Sequence, residues 1–486
     1  MILNNETNII AENFLNEVIK MCLDFKLTKN SITTNTTSIT LEPMPTDPHD
    51  LNSVLSEFKE NILSNCSNFS NSNFMGFPDS GNSIAAMAGA ICSELLQQNL
   101  INQTFCSPSA TYVEINVIRW LREIIGYYNI PAYEVNDTSN IGGIITQGGT
   151  ISNTLALLLA RENHKKHTLS NGVISPSDYK IIIPKDIGHY SIKCSQMWLG
   201  CGNNLIEIPT INHKMDLNAL RSALREHKGK IMAVVAYAGD SRSMSIDNLE
   251  EIYNITKEFD SNIWLHADAC HGFSLGLSNE LKYKLKGLEL YDSVTTDPHK
   301  VLFTPYTISA LLIKDPTKIN LISMSSDLIT KDPFDLGKIT PFIGSKNWTS
   351  LKLWFLIKNF GRNKLGEIIY NRHLLAKTFA SKLKNDTDFI VLNDVDINSV
   401  MFMYKNDSLS IDELNEINKK IYSELLKDGE FYLHQFPIPD INGVISKDSI
   451  LYPLRYMSGN PNLKEENLDN LLAKIKSIIS NITCIK

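Results

Sequence analysis

The sequence predicts an α/β fold: a mainly parallel sheet with helices on both faces, followed by a small C-terminal α+β domain. Three observations carry this. Short apolar runs recur between residues 143 and 314. Turn residues follow each run, and helical patterns fit between several of them. From about residue 367 the regular alternation stops, and helices surround a strand-like run.

In chain order, a short first helix precedes a polar stretch at 28–50 that holds three prolines toward its end. That stretch reads as a linker or extended arm. Residues 84–100 and 111–127 read as helices; in the second, Val113, Val117, Trp120, Leu121 and Ile124 form an apolar stripe. The strand candidates are "GIITQ" (143–147), "YKIIIP" (179–184), "IMAVVAYAG" (231–239), "NIWLHADA" (262–269), "YDSVTT" (291–296) and "ISALLIK" (308–314). Helices fit at 217–227 and 246–259. Strands that alternate with helices imply a parallel sheet buried on both faces. A long helix after residue 344 leads to the small domain, with helices near 366–384, 411–427 and 464–479 and a strand at 399–405. The expected divisions are 1–83 (helical segment and arm), 84–366 (large α/β domain) and 367–486 (small domain).

The chain has 486 residues, 43% of them hydrophobic, which is enough for a large core. Its formal net charge is -7 and no basic cluster stands out, which argues against a nucleic-acid partner. No run of about eighteen apolar residues suggests a membrane span. The first residues, "MILNNETNIIAENFLNEV", do not read as a secretory signal. The eight cysteines are scattered without a CxxC pair and read as reduced thiols, so the expected location is the cytoplasm.

Sites in parallel α/β sheets lie at the carboxyl ends of strands. Four candidates fall there. Gly148 and Gly149 end one strand and lead into a helix that Thr150 or Ser152 can cap; such a turn offers backbone N–H groups to an anion such as phosphate. A tight turn with a threonine cap explains the same residues. His189 follows the strand 179–184, and its ring can stack on an aromatic ligand or cap a helix. Asp268 ends "NIWLHAD" and needs a cation or strong donors if buried. A protonated pyridine nitrogen would serve; so would a structural salt bridge. Lys300 follows 300 − 268 = 32 residues later, one helix and one strand on, beside His299. Poor solvation would make its amine easier to deprotonate and ready to form a Schiff base. A surface pair is the plain alternative for "HK". One ligand has a phosphate, a flat ring, a ring nitrogen and an aldehyde: pyridoxal 5′-phosphate. Gly149 with Thr150, then His189, Asp268 and Lys300, offer a partner for each part in that order.

The stretches "FMGFPDSGNS", "CSPSATYVEINVIRWL", "GGTISNTLALLLAR", "HYSIKCSQMWLG", "IWLHADACHGF", "DPHKVLFTPY", "GSKNWTSLKLW" and "LRYMSGNPN" resemble the group II pyridoxal-phosphate decarboxylases. That family includes aromatic amino acid, histidine and glutamate decarboxylases, and the resemblance runs from about residue 70 to the C-terminus. It implies the fold-type-I architecture of pyridoxal-phosphate-dependent transferases and a homodimer with active sites at the subunit interface. It implies decarboxylation of an L-amino acid to amine and CO₂ through Schiff-base exchange at Lys300. Asp268 would hold the pyridinium nitrogen and His189 would stack on the ring, with Cys270 beneath it. Gly149, Thr150 and His299 would hold the phosphate, and Gly344 would approach it from the other subunit. Phe77, Pro78 and Asp79 match a segment lining the substrate pocket, and Arg455 matches an arginine near the entrance.

Three departures stand out. The region 325–343 has no tyrosine where the family's mobile loop often carries one that protonates the substrate carbon; Phe334 lies near that place. Tyr237 stands where a small hydroxyl residue is usual, and Val301 where tryptophan is common. The missing tyrosine keeps an aldehyde synthase or an aminotransferase-like activity open beside the decarboxylase. A binding or scaffold protein that keeps the fold is the non-enzymatic alternative. Asp79 can pair with a cationic substrate or cap a turn; the turn-like "PDSG" favours the cap.

Overall fold

The computed structural model describes residues 2–28, 42–327 and 330–483. Most of the expected arm at 28–50 and Cys484 lie outside these residues. Near the N-terminus, α1 (Asn8–Lys26) buries none of its residues, and α2 (Leu51–Glu57) is capped by the Asp50 side chain. Two apolar helices follow, α3 (Ile84–Leu96) and α4 (Ala110–Ile124).

The large sheet contains every strand the apolar runs predict: β1 (Gly143–Thr146), β2 (Lys180–Pro184), β6 (Ile231–Tyr237), β7 (Trp264–Asp268), β8 (Ser293–Thr296) and β9 (Ser309–Ile313). It also contains β3 (Leu205–Ile208), and a small hairpin, β4 (Thr210–Ile211) with β5 (Lys214–Met215), follows it. The order is β1-β9-β8-β7-β6-β2-β3. Pairing is parallel from β8 through β3, and β9 runs antiparallel to both β1 and β8. Strands β6 to β9 are buried throughout, as their unbroken apolar runs require. Because β9 alone is reversed, β1, β2, β6, β7 and β8 all end on one edge. The site lies along that edge.

The helix α5 (Gly149–His164) follows β1 and packs across β7, β8 and β9. A helix at Ser350–Lys384 packs on α3 and α4; its helical geometry breaks at Gly361 (φ 65). The expected division at 366/367 falls inside that helix. A second core gathers Phe379, Phe402 and Tyr456 with Met75, so a residue from the N-terminal segment packs with the C-terminal part. There β10 (Phe389–Val391), β11 (Ser399–Tyr404), β15 (Leu454–Met457) and β12 (His434–Gln435) form an antiparallel sheet in that order, and β13 (Ile438–Pro439) pairs with β14 (Ile450–Leu451).

Candidate active site

A cavity of about 290 Å³ opens at the shared strand edge. Gly149 and Thr150 from the β1–α5 turn, His189 after β2, Asp268 and Cys270 from β7, and His299 and Lys300 after β8 all line it. Seven of the residues singled out in the sequence thus converge from four strand ends.

The glycine turn departs from expectation in one detail. The N-cap of α5 is Gly148, at φ 153, with no side-chain cap. Thr150 and Ser152 therefore sit inside the first turn and cap nothing. Ser152 instead shares hydrogen bonds with Thr146 and Ser309. The first N–H groups of a helix lack intrahelical acceptors, so those of Gly149 and Thr150 are open to an anion. A Cβ at Gly149 would lie 2.8 Å from Asp297 Oδ2 and 2.9 Å from Cys270 Sγ. The slot between turn and floor is one side chain too narrow for anything but glycine.

Asp268 ends β7 and is buried. Its Oδ2 accepts from Asn153 Nδ2 at 2.9 Å and its Oδ1 from the Cys270 N–H at 3.2 Å. Burial alone would raise its pKa. His189 and Lys300, with these hydrogen bonds, outweigh burial and hold the carboxyl below the usual carboxylate range. Behind it, His266 bonds Asn153 Oδ1 at 3.0 Å and Ser293 Oγ at 2.9 Å. Burial lowers His266 to about 4, so this supporting ring is neutral.

His189 does both things its position allows. It caps the helix Tyr190–Trp198, with Nδ1 accepting from the Ser191 N–H at 3.2 Å, and it lines the cavity. Ser191 Oγ lies 2.7 Å from the same nitrogen. With Nδ1 an acceptor, the proton of the neutral ring is on Nε2. Burial lowers the ring's pKa, opposed by Asp268. The backbone N–H of His189 donates to the Tyr237 hydroxyl at 2.9 Å, which gives the unusual Tyr237 a structural place beneath the histidine.

Lys300 corrects the expectation of an easily deprotonated amine. Its Nζ pairs with Asp297 Oδ2 at 2.7 Å. Burial would lower its pKa, but Asp297, then Cys270 and Asp268, hold it above the ordinary lysine range. Burial would likewise raise Asp297, yet Lys300 and His299 pull it down to about 2. The other oxygen of Asp297 is buried without a hydrogen-bond partner among the described residues. His299 places Nδ1 2.6 Å from the Ile308 carbonyl, so Nε2 is a donor only when the ring is charged.

Five residues lie elsewhere. Gly344 is exposed and a Cβ there would meet nothing within 4 Å; it is not at this chain's cavity. Phe77 stacks against Tyr432 and His434, and Pro78 packs against Gly459, away from the cavity lining. Arg455 is buried; its Nη1 donates to the carbonyl of Ser241, which lines the cavity, and its guanidinium lies over Phe77 and Phe436. Asp79 lines a neighbouring cavity that shares His299 and Tyr306 with the first.

Asn153, His266 and Asp297 were not anticipated. For Asp297 a signal existed: it lies three residues before Lys300, and one turn of helix (Pro298–Val301) brings such residues to one face. Asn153 reaches Asp268 from α5 and His266 reaches Asn153 from within β7, contacts between elements that local sequence does not encode.

A strand-edge cavity with a helix N-terminus, a buried aspartate and a lysine defines a fold-type-I pyridoxal-phosphate enzyme. The chain belongs to the pyridoxal-dependent decarboxylase family, whose conserved-domain model matches residues 35–405. It is 27% identical to an L-2,4-diaminobutyrate decarboxylase of Acinetobacter baumannii over 76% of this chain and 72% of the relative. It is 25% identical to an aromatic-L-amino-acid decarboxylase of Bacillus atrophaeus over 91% and 88%. A crystal structure of Oryza sativa TDC with PLP and tryptamine superposes with a TM-score of 0.87 at 20% identity, covering 99% of each chain, a likeness of fold. The reaction is the pyridoxal-phosphate-dependent decarboxylation of an amino acid, which makes the protein a carboxy-lyase.

Proposed function

We propose that the residues of this cavity divide the work of an L-amino acid decarboxylase that releases the amine. The observation that carries this is the meeting of Asp268, Lys300 and the open N-terminus of α5 in one cavity. The cofactor fits the residues present. The Gly149 and Thr150 N–H groups, the Thr150 hydroxyl and His299 suit its phosphate. Gly149 lets the N-terminus of α5 sit close against Cys270 and Asp297, and Asp297 keeps an oxygen without a partner among the described residues, free for a donor. Asp268 suits the ring nitrogen and the His189 imidazole suits its face.

When bound, the cofactor supplies the electron sink that takes the pair left as CO₂ departs. Asp268, kept ionised by its neighbours, holds a proton on the ring nitrogen. Lys300 would hold the cofactor through Nζ, after giving up the proton that Asp297 stabilises, and its free amine would move a proton at the substrate carbon. His189, with its proton on Nε2, offers a second donor and excludes water from one ring face.

A homodimer in the cytoplasm, with Gly344 reaching the partner's phosphate site and Phe77, Pro78 and Arg455 framing the entrance, completes the reading. The exposed, unobstructed Gly344 and the free thiols of the described cysteines support it. The divisions 1–83, 84–366 and 367–486 are part of the same proposal, as functional segments.

One observation favours a second reading. The region 325–343 lacks tyrosine, and Phe334 packs on Tyr112 at 5.5 Å. Without a phenolic donor from that region, oxidation of the substrate carbon by dioxygen, releasing the aldehyde, ammonia and hydrogen peroxide, competes with its protonation. Incubating holoenzyme with each of the twenty amino acids and with diamino acids, and scoring CO₂, amine, aldehyde, ammonia and peroxide together, separates the two. Equal CO₂ and amine supports the decarboxylase; aldehyde with ammonia and peroxide supports the synthase.

A further inference from the structure

His299 and Tyr306 border the cavity around Lys300. Both side chains also line a second cavity of about 390 Å³, bounded by Phe25 and Lys26 of α1 and by Phe69. Asp79 lies on its wall. The turn cap favoured from the sequence is not what this carboxylate makes. Its Oδ1 is buried and has no hydrogen-bond partner among the described residues. His299 and Lys300 attract the carboxyl group from the cofactor side, and Tyr306 lines the same wall. Lys26, the cation on the same wall, is held by Ser70 Oγ.

An unpartnered carboxylate oxygen in a buried wall is costly unless a donor arrives with the ligand. Burial holds the Asp79 carboxyl above the ordinary carboxylate range, and a cation entering beside it would favour the ionised form. The donor that fits is therefore positively charged. It also has to reach Asp79 while the α-amino group is at Lys300, with Tyr306 and His299 flanking the path between them.

We propose that Asp79 selects the substrate: an α-amino acid whose side chain ends in an ammonium, which donates to the orphan oxygen of Asp79. The inference rests on the decarboxylase reading of the same site and adds the substrate class to it. A glutamate-like side chain drawn to Lys26 and an aromatic one packed on Phe25 and Phe69 are the competing outcomes.

The test uses holoenzyme and pairs of substrates of equal length: 2,4-diaminobutyrate with norvaline, and ornithine with norleucine. Lysine, glutamate and tyrosine complete the set. The expected result is a kcat/KM at least roughly tenfold higher for the diamino member of a pair, the size of one charge-assisted hydrogen bond. Asp79→Asn should cut that ratio at least about tenfold, chiefly through KM, and Asp79→Glu should restore part of it. The cofactor's visible absorbance confirms that each variant is folded and loaded, and the wild-type ratio stands without any variant. A wild-type preference for neutral, aromatic or anionic substrates, or an unchanged ratio in Asp79→Asn, overturns the role of Asp79 and leaves the decarboxylase standing. Loaded enzyme that releases CO₂ from no amino acid overturns the decarboxylase reading, and this inference with it.

Discussion

The ammonium of Lys300 lies 2.7 Å from Oδ2 of Asp297, a residue 1% exposed. This pair keeps the lysine charged until the cofactor arrives. In Asp297→Asn the counter-charge is gone, while the burial that lowers the lysine remains. Uptake of pyridoxal phosphate by apoenzyme, followed by its visible absorbance, should then reach its half-maximal rate at a pH lower by about one unit or more, one unit being ~1.4 kcal/mol of lost pairing. An unchanged profile would mean that Asp297 does not set the proton on Lys300.

Asp268 meets Asn153, which in turn meets His266. Asp268→Asn replaces the carboxylate with a neutral amide, and kcat should fall by roughly a hundredfold or more, as when a preorganised charge at a reacting system is lost. Asn153→Ala removes one donor to a buried carboxylate, costing about 1.5–3 kcal/mol of its anchoring. Its kcat should fall less than that of Asp268→Asn, with a shifted cofactor spectrum. Steady-state kinetics and absorbance spectra on both variants check the order.

The His189 ring is lowered from 6.5 by burial. A histidine with a lowered folded pKa favours the neutral form, so its contribution to stability is complete above 6.5 and fades as pH falls through the folded value. Any acid limb of kcat/KM that belongs to His189 therefore falls below pH 6.5. A pH–rate profile of wild type against His189→Gln reads this directly: the limb should vanish in the variant.

Gly149 faces Asp297 and Cys270 across a gap that a methyl group would fill. In Gly149→Ala the Cβ clashes with Asp297 and Cys270 and shifts the α5 N-terminus that would hold the phosphate, so affinity for pyridoxal phosphate should drop at least about tenfold, the equivalent of ~1.4 kcal/mol. Fluorescence titration of apoenzyme measures it.

The apolar runs were enough to find β1, β2, β6, β7, β8 and β9, because strands buried on both faces need unbroken apolar sequence. β3 was missed because it is only partly buried: Leu205–Ile208 carries an exposed Glu207 that interrupts its apolar run. Asp268 and Lys300 were legible because a charge at the end of an apolar run is rare and position-specific. The proton state of Lys300 was not, since it depends on the angle at which one helical turn presents Asp297. Nor was the part played by Asn153, 115 residues from the carboxylate it holds. Asp79 shows the same limit: "PDSG" describes the backbone turn, while the direction of the side chain depends on α1 and on the chain around Tyr306.

The most direct measurement is borohydride reduction of the holoenzyme followed by peptide mapping. The cofactor should be fixed on the peptide that contains Lys300, and Lys300→Ala should show neither fixation nor CO₂ release from any amino acid. Cofactor fixed on another lysine, or a Lys300→Ala protein that still decarboxylates, would contradict the assignment on which every role above depends.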